Sequence, residues 1–356
     1  MKRSWLKWLP AGVAIVAVGV LAIPLQAGAA VILPAKTPEQ LLVMVQQSTV
    51  RAFSGTVEQT SDLGLPQLPT TGPGSNADAT SILELLTGSH TARVYVDGPS
   101  NERVQVMDSL AERDVVRHGN DVWLYNSKDK TATHLTLPAK TETGGASRAP
   151  GEVQTPAQLA ERLLAGIDPS TKVSVDQNVS VAGRTAYDLV LTPRASDTLV
   201  GSVSIAVDSA TGMPLRVDVY AHGQNTPALQ VAFSTLTLEK PAASLFTFTP
   251  PAGATVKQQS VKQPTLKKPD ANGTHASATK PQHLVSGTGW SSILQLPAGT
   301  VSSSLFSSPT LSQATRAVPG GRVLSTTLVN VLLENDGRVF VGAVPLALLQ
   351  AAAAGQ

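Results

Sequence analysis

The sequence predicts a mainly β (α+β) protein: a curled antiparallel sheet of about eleven strands forming a half-open barrel, with helices on its concave side. Three observations predict this. Short period-two segments follow one another from Arg51 to Phe248, with turn residues between them. The later segments have one apolar and one polar face. Two capped helices have apolar stripes that need a surface to cover. Because a sheet of this width must curl, the concave face is the natural partner of the helices.

The N-terminal residues 1–29 have a basic start, an apolar run over 11–23, and then Ala27-Gly28-Ala29. This order fits a secretory signal peptide with a small-residue cleavage site. The alternative is an uncleaved membrane anchor. Both interpretations place the rest of the chain outside the cytoplasm, in the cell envelope or a periplasm-like space, because the basic end stays inside.

Two segments carry the same helix-start signal. Thr37 and Thr155 are each followed by Pro at the first helical position and Gln at the third, which predicts a capping box. In the second helix Leu159 and Leu163 belong to an apolar stripe, and we predict that they plug the half-barrel. A third, short helix is expected over Thr80–Leu86.

The second half of the predicted sheet has the clearest alternation. Valine and leucine occupy the odd positions, and aromatic residues are only 4% of the chain, so side chains of this kind do not fill a wide barrel. The polar even positions, Asp188 and Asp218 among them, are expected to be solvated. Strand parity predicts a ligand cavity lined by Leu189, Leu191, Val203, Ile205, Val217, Val219, Val231 and Phe233.

The loop after the first strand, LGLPQLPTTGPGS, contains three leucines: Leu63, Leu65 and Leu68. Two interpretations stay open. The leucines could cap the bottom of the core, or they could form a lid over the cavity mouth, since exposed apolar residues usually mark a binding surface.

The composition changes after the sheet. We predict a carrier-like half-barrel domain over 37–254 and a polar linker over 255–283, rich in Lys, Gln, Pro, Ser and Thr. A small α+β module over 284–356 follows. In this module a hairpin is expected to turn at Asp336-Gly337, and a helix to close the chain.

Several kinds of chemistry have no sequence signal. There is no cysteine, and the six histidines lack metal-site spacing. No nucleophile elbow or phosphate-binding loop occurs. The chain without its basic N-terminus is almost neutral, which does not favour nucleic acid. We therefore expect a binding protein without catalytic residues, metal or cofactor.

The order of the motifs carries a family resemblance. FSGTVEQTSDLGLP, WLYNSKDKTATH and IAVDSATGMPLRV follow the first predicted helix in turn. Over about Thr37 to Pro251 the chain is similar to the LolA/LppX-like lipoprotein-carrier fold family in its actinobacterial form. A carrier-like domain with a small C-terminal domain also resembles RseB-like regulators of extracytoplasmic sigma factors. The chain departs from both, because it has no lipobox cysteine and its tail beyond Leu284 matches the regulator only in outline.

The resemblance implies a half-barrel that holds lipid or an acylated protein, which would be a transport function. The first functional hypothesis is therefore a carrier or binding protein whose partner is a lipid or an acylated lipoprotein. The alternative is an RseB-like envelope sensor or regulator that acts through a membrane protein partner, an interpretation favoured by the extra C-terminal module.

Overall fold

A computed structural model describes residues 33–65, 88–107, 112–137, 154–260, 284–301 and 309–355. The N-terminal segment 1–29 and the helix predicted over Thr80–Leu86 lie outside these ranges. Within them, no helix is both long enough and apolar enough to cross a membrane.

The described residues contain four α-helices: α1 (Pro38–Gln46), α2 (Pro156–Ala165), α3 (Pro309–Ala314) and α4 (Leu346–Ala354). Both predicted capping boxes are confirmed. The Thr37 hydroxyl accepts from the Gln40 backbone N–H, and the Gln40 side chain accepts from the Thr37 N–H at 3.0 Å. Thr155 and Gln158 make the same reciprocal pair at the start of α2. Each box satisfies two backbone donors that a helix start would otherwise leave unpaired.

Twelve strands form one curled, open sheet, which confirms the predicted class. They are β1 (Ala52–Ser61), β2 (Gly88–Asp97), β3 (Asn101–Met107), β4 (Glu112–His118), β5 (Asp121–Asn126), β6 (Thr131–Thr136), β7 (Thr171–Val181), β8 (Arg184–Pro193), β9 (Val200–Asp208), β10 (Pro214–Ala221), β11 (Pro227–Thr237) and β12 (Thr255–Ser260). The spatial order is β12-β6-β5-β4-β3-β2-β1-β11-β10-β9-β8-β7. Two meanders, β1–β6 and β7–β11, therefore meet where β1 pairs with β11.

Strand β12 corrects the predicted start of the linker. Residues 255–260 pair in parallel with β6, so the sheet continues six residues into the segment expected to be a linker over 255–283. The described side chains of this edge strand are exposed, so it needs no apolar alternation and has no strand signal in the sequence. Residues 261–283 lie outside the described ranges.

A second, six-stranded sheet comprises β13 (Leu284–Ser286), β14 (Ile293–Leu296), β15 (Arg316–Val318), β16 (Gly321–Ser325), β17 (Asn330–Glu334) and β18 (Val339–Gly342). It is called the C-terminal sheet below. The β17–β18 hairpin turns at the expected place, where Gly337 adopts a φ of 87°. Helix α4 packs through Leu349 and Ala353 on Ile293 and Phe340.

The core of the twelve-stranded sheet consists of two clusters of buried side chains. The first core cluster contains Leu41, Ala160, Tyr187, Leu189, Leu191, Val200, Val203, Ile205, Val207, Val217, Val219, Ala221, Ala228 and Leu328. The second core cluster contains Phe53, Val57, Ala92, Val94, Val104, Val106, Val181, Ala186, Ala206, Met213, Leu215, Val231 and Phe233. Leu159 and Leu229 pack against both clusters and connect them.

Candidate functional site: the aliphatic concave face

The first core cluster gathers six of the eight predicted cavity residues. They are Leu189, Leu191, Val203, Ile205, Val217 and Val219, and each is at most 8% exposed. The antiparallel register explains why they meet. Leu189 lies opposite Ile205, and Ile205 lies opposite Val217, and cross-strand partners share one face of a sheet.

The other two predicted residues, Val231 and Phe233, belong to the second core cluster. They lie on the same face, because Val231 is the cross-strand partner of Val217. The structure thus places all eight residues on one continuous face, but in two packed groups.

Helices α1 and α2 cover this face. Leu41 of α1 and Ala160 of α2 are fully buried members of the first core cluster. Leu159 and Leu163, the residues predicted as a plug, pack against the same cluster. Their neighbours Leu164 and Ile167 do so as well, so the apolar stripe of α2 lies on valines and leucines of the sheet.

The same face continues across β2 to β5, where the sequence analysis predicted no site residues. Val94, Val104, Val115 and Leu124 are successive cross-strand partners on β2 to β5, so they form one row across the sheet. The row joins the predicted face through Val57, whose partners are Phe233 and Ala92. Val94 and Val104 are buried, whereas Val115 and Leu124 are half-buried. The alternation in ARVYVDG and ERVQVMDS could have indicated the first part of this row.

Two of the three loop leucines can be located. Leu63 packs against the first core cluster, and its carbonyl oxygen accepts a hydrogen bond from the Thr327 N–H at 3.0 Å. Leu65 is half-buried. Leu68 lies outside the described residues, so both interpretations of the loop, core cap and lid, stay predictions.

The polar face of β8 to β11 is less solvated than expected, because Asp218 is buried and Asp188 is half-buried. Asp218 is only 2% exposed, and its carboxylate lies 2.8 Å from Arg216 Nε and accepts from Gln230 Nε2 at 2.7 Å. Asp188 accepts a short hydrogen bond from the Ser204 hydroxyl. The expectation was wrong because alternation identifies which positions share a face, whereas the side chains of neighbouring strands decide whether water reaches it.

Burial raises the pKa of the Asp188 carboxyl above its usual range. The hydrogen bond from Ser204 and the charge of Arg216 act in the opposite direction, while the nearby Asp218 and Asp176 carboxylates add to the increase. The charged form of Asp188 is therefore less favourable in the folded protein than in the unfolded chain.

Asp188→Asn is expected to stabilise the protein at neutral pH. Above the folded-state pKa of Asp188 the carboxylate is charged in both states, so the penalty for burying the charge is complete. Below the unfolded-state pKa of about 3.9 the carboxyl is neutral in both states, and this penalty is absent. The stability that the asparagine variant gains should therefore decrease as the pH falls to that value. Urea unfolding at several pH values measures this, with the exposed Glu58→Gln as control. A gain that persists unchanged at about pH 3, below that unfolded value, would contradict this explanation.

Leu163→Asp tests whether α2 is held by the concave face. The charge would enter an aliphatic surface, so we expect the free energy of unfolding to fall by about 2 kcal/mol. Ala165→Asp places the same charge on an exposed position of the same helix and is the matched control. Similar unfolding midpoints for the two variants would place Leu163 at the protein surface.

Fold and site together define a curled, open sheet with one aliphatic face that is covered by helices. Within the described ranges, no group of three or more His, Asp or Glu side chains is placed to hold a metal ion.

The chain belongs to the MucB/RseB N-terminal domain family, whose match extends over residues 84–265. This confirms the resemblance to RseB-like proteins. The family consists of non-enzymatic binding or regulatory proteins of the cell envelope, so this chain is a binding or regulatory protein and not an enzyme. No curated protein matches the sequence significantly.

Three solved structures illustrate the similarity. The MucA/MucB complex of Pseudomonas aeruginosa is 18% identical, with 89% of this chain and 96% of that chain covered and a TM-score of 0.43. An uncharacterized conserved protein from Thermus thermophilus is 14% identical, with coverages of 62% and 98% and a TM-score of 0.35. A LolA superfamily protein from Nitrosomonas europaea is 14% identical, with coverages of 60% and 99% and a TM-score of 0.25.

Proposed function

We propose that this protein is an extracytoplasmic binding protein that holds the acyl chains of a lipid or an acylated protein against its concave face. The observation that supports this most is the continuity of the aliphatic surface. It extends from Leu189 on β8, through Val217 and Phe233, to Leu124 on β5. Such a surface matches a long flexible hydrocarbon chain and offers little to a polar ligand.

The energy of such binding has two opposing parts. Burying a CH₂ group gives about 0.8 kcal/mol, so a chain of about sixteen carbons could supply on the order of 10 kcal/mol. The predicted cavity residues are already buried, however, and six of them share the first core cluster with Leu41 and Ala160 of the helices. An acyl chain that reaches them must displace protein contacts of the same kind, so the net affinity is the difference between two similar terms.

Binding of a fluorescent fatty acid of about sixteen carbons tests the proposal. We expect saturable binding by the full chain, competition by unlabelled palmitate, and no competition by a short-chain acid such as butyrate. Equal competition by both acids, or no saturable binding, would contradict acyl-chain recognition.

A second candidate function is an envelope sensor or regulator that acts through a membrane protein partner. Membership of the MucB/RseB family supports it, and so does the C-terminal sheet. Native mass spectrometry of the protein purified from membranes separates the two candidates. Co-purifying lipid supports a carrier, whereas a lipid-free protein bound to a membrane protein supports a regulator.

The predicted export of the chain has its own test. We propose that residues 1–29 act as a signal peptide or a membrane anchor. N-terminal sequencing of the protein from its native host would find a new N-terminus after Ala29 for a signal peptide, and the original one for an anchor. Retention of the intact protein in the cytoplasm would contradict both.

A further inference from the structure

The C-terminal sheet supplies a side chain to the first core cluster. Leu328, in the turn between β16 and β17, is 7% exposed and belongs to this cluster. Three further residues of the segment 284–356 pack against the first core cluster: Trp290, Val329 and Ala343. The cluster that contains most of the predicted ligand-contact residues is therefore closed partly by a different sheet.

Hydrogen bonds align the two sheets at this place. They join Thr327 N–H to the Leu63 carbonyl at 3.0 Å, Leu199 N–H to the Ala343 carbonyl at 2.7 Å, and Trp290 Nε1–H to Thr171 Oγ1 at 2.8 Å. The contact thus combines a small apolar centre with directional polar bonds. Contacts of this mixed kind between parts of one chain resemble transient protein interfaces, which open and close.

The covalent connection between the two sheets is long. Strand β12 ends at Ser260 and β13 begins at Leu284. The residues between them are rich in Lys, Gln, Pro, Ser and Thr, a composition that is typical of linkers. Separation of the sheets would expose Leu328 together with aliphatic residues of the first core cluster.

We propose that the C-terminal sheet is a cover that competes with acyl chains for the first core cluster. Leu328 occupies aliphatic surface that an acyl chain would otherwise cover, so ligand binding releases the C-terminal sheet, and docking of that sheet weakens ligand binding. Because coupling between two binding events is reciprocal, the same free energy appears in both. This inference rests on the proposed acyl binding. It adds that the C-terminal sheet is docked when the ligand is absent and released when the ligand is bound.

Leu328→Ser tests the sign of this coupling. It removes the apolar anchor of the cover, so we expect the fluorescent fatty acid to bind about tenfold more tightly than to the wild type, which corresponds to about 1.4 kcal/mol. Val285→Ser is the matched control, since Val285 lies on the same sheet and is 64% exposed; its affinity should stay unchanged. Weaker binding by Leu328→Ser would mean that Leu328 lines the ligand site. Unchanged binding would mean that Leu328 has no role in ligand affinity. Either result overturns the proposal.

A reversible crosslink tests the opposite change, in which the C-terminal sheet is held in place. It does not depend on a substitution in the core. The Ser291 hydroxyl donates to Asp197 Oδ1 at 2.7 Å across the contact, and the chain contains no cysteine. In the Asp197→Cys/Ser291→Cys variant, a disulfide confirmed by intact mass should lower fatty-acid affinity at least tenfold, and reduction should restore it. Each single-cysteine variant is the control.

The outcomes of the crosslink experiment separate the two proposals. Equal affinity in the oxidised and reduced forms overturns the cover but leaves acyl binding in place. If neither the wild type nor any variant binds the fatty acid, the proposed function fails, and the competing cover fails with it.

Discussion

Asp208→Ala is expected to lower the free energy of unfolding by about 2–3 kcal/mol. Asp208 is 1% exposed, and its carboxylate accepts two hydrogen bonds from Arg184, at 2.9 and 2.8 Å. It also accepts from the Thr211 N–H and hydroxyl, which holds the turn between β9 and β10. The alanine variant leaves the Arg184 guanidinium without its partner and the turn without its central acceptor. Hydrogen bonding to Asp208 also raises the pKa of Arg184 above its usual range, so the cation stays charged.

Urea unfolding of the variant measures this loss. Asp97→Ala is the control, because Asp97 pairs with Lys240 at 3.1 Å and the lysine side chain is 69% exposed. An exposed pair of this kind is worth less than about 1 kcal/mol. If both variants lost the same small amount, the Arg184–Asp208 pair would contribute no more than a surface ion pair.

Gly212→Ala is expected to cost about 3 kcal/mol, because two penalties add. Gly212 has a φ of 74°, which is unfavourable for residues with a Cβ atom by about 1–2 kcal/mol. A Cβ atom at this position would lie 2.2 Å from the carbonyl oxygen of Met44, in helix α1. The helix must therefore move, and crowding of this kind costs typically about 1–3 kcal/mol.

Gly183→Ala is a closely matched control for this prediction. Gly183 has the same φ of 74°, but a Cβ atom there would have no neighbour within 4 Å. Unfolding measurements should show that Gly212→Ala loses more than Gly183→Ala, and hydrogen exchange should show faster exchange in α1 only for Gly212→Ala. Equal losses with unchanged exchange in α1 would mean that the contact with Met44 does not hold the helix.

The elements that the sequence predicted well are those determined by neighbouring residues. The capping boxes at Thr37 and Thr155 depend on positions three apart, and the shared face of Leu189, Leu191 and Val203 depends on alternation along strands. Both patterns come directly from helix and strand geometry. The resemblance to the LolA/LppX-like family likewise rested on local motifs in order, whereas the resemblance to RseB-like regulators rested on the succession of a carrier-like domain and a small C-terminal domain.

The features that were missed depend on residues far apart in the sequence. Strand β12 has no apolar period, and its pairing with β6 joins segments more than a hundred positions apart along the chain. The burial of Asp218 depends on side chains from adjacent strands, and that of the first core cluster depends partly on Leu328. No local pattern around Leu191 or Val203 could indicate that a leucine between β16 and β17 belongs to the same cluster.

The pairing of β1 with β11 has a consequence for how the molecule forms. Thr56 and Thr235, joined by a hydrogen bond across this pair, are 179 residues apart. At about 5–20 residues per second, a ribosome needs roughly 10–35 s to synthesise the intervening chain, and until then the two meanders cannot join. Non-local strand pairing is also slow in itself, because loop closure precedes any stabilising contact. The nascent chain therefore stays incompletely folded until the whole second meander has been synthesised.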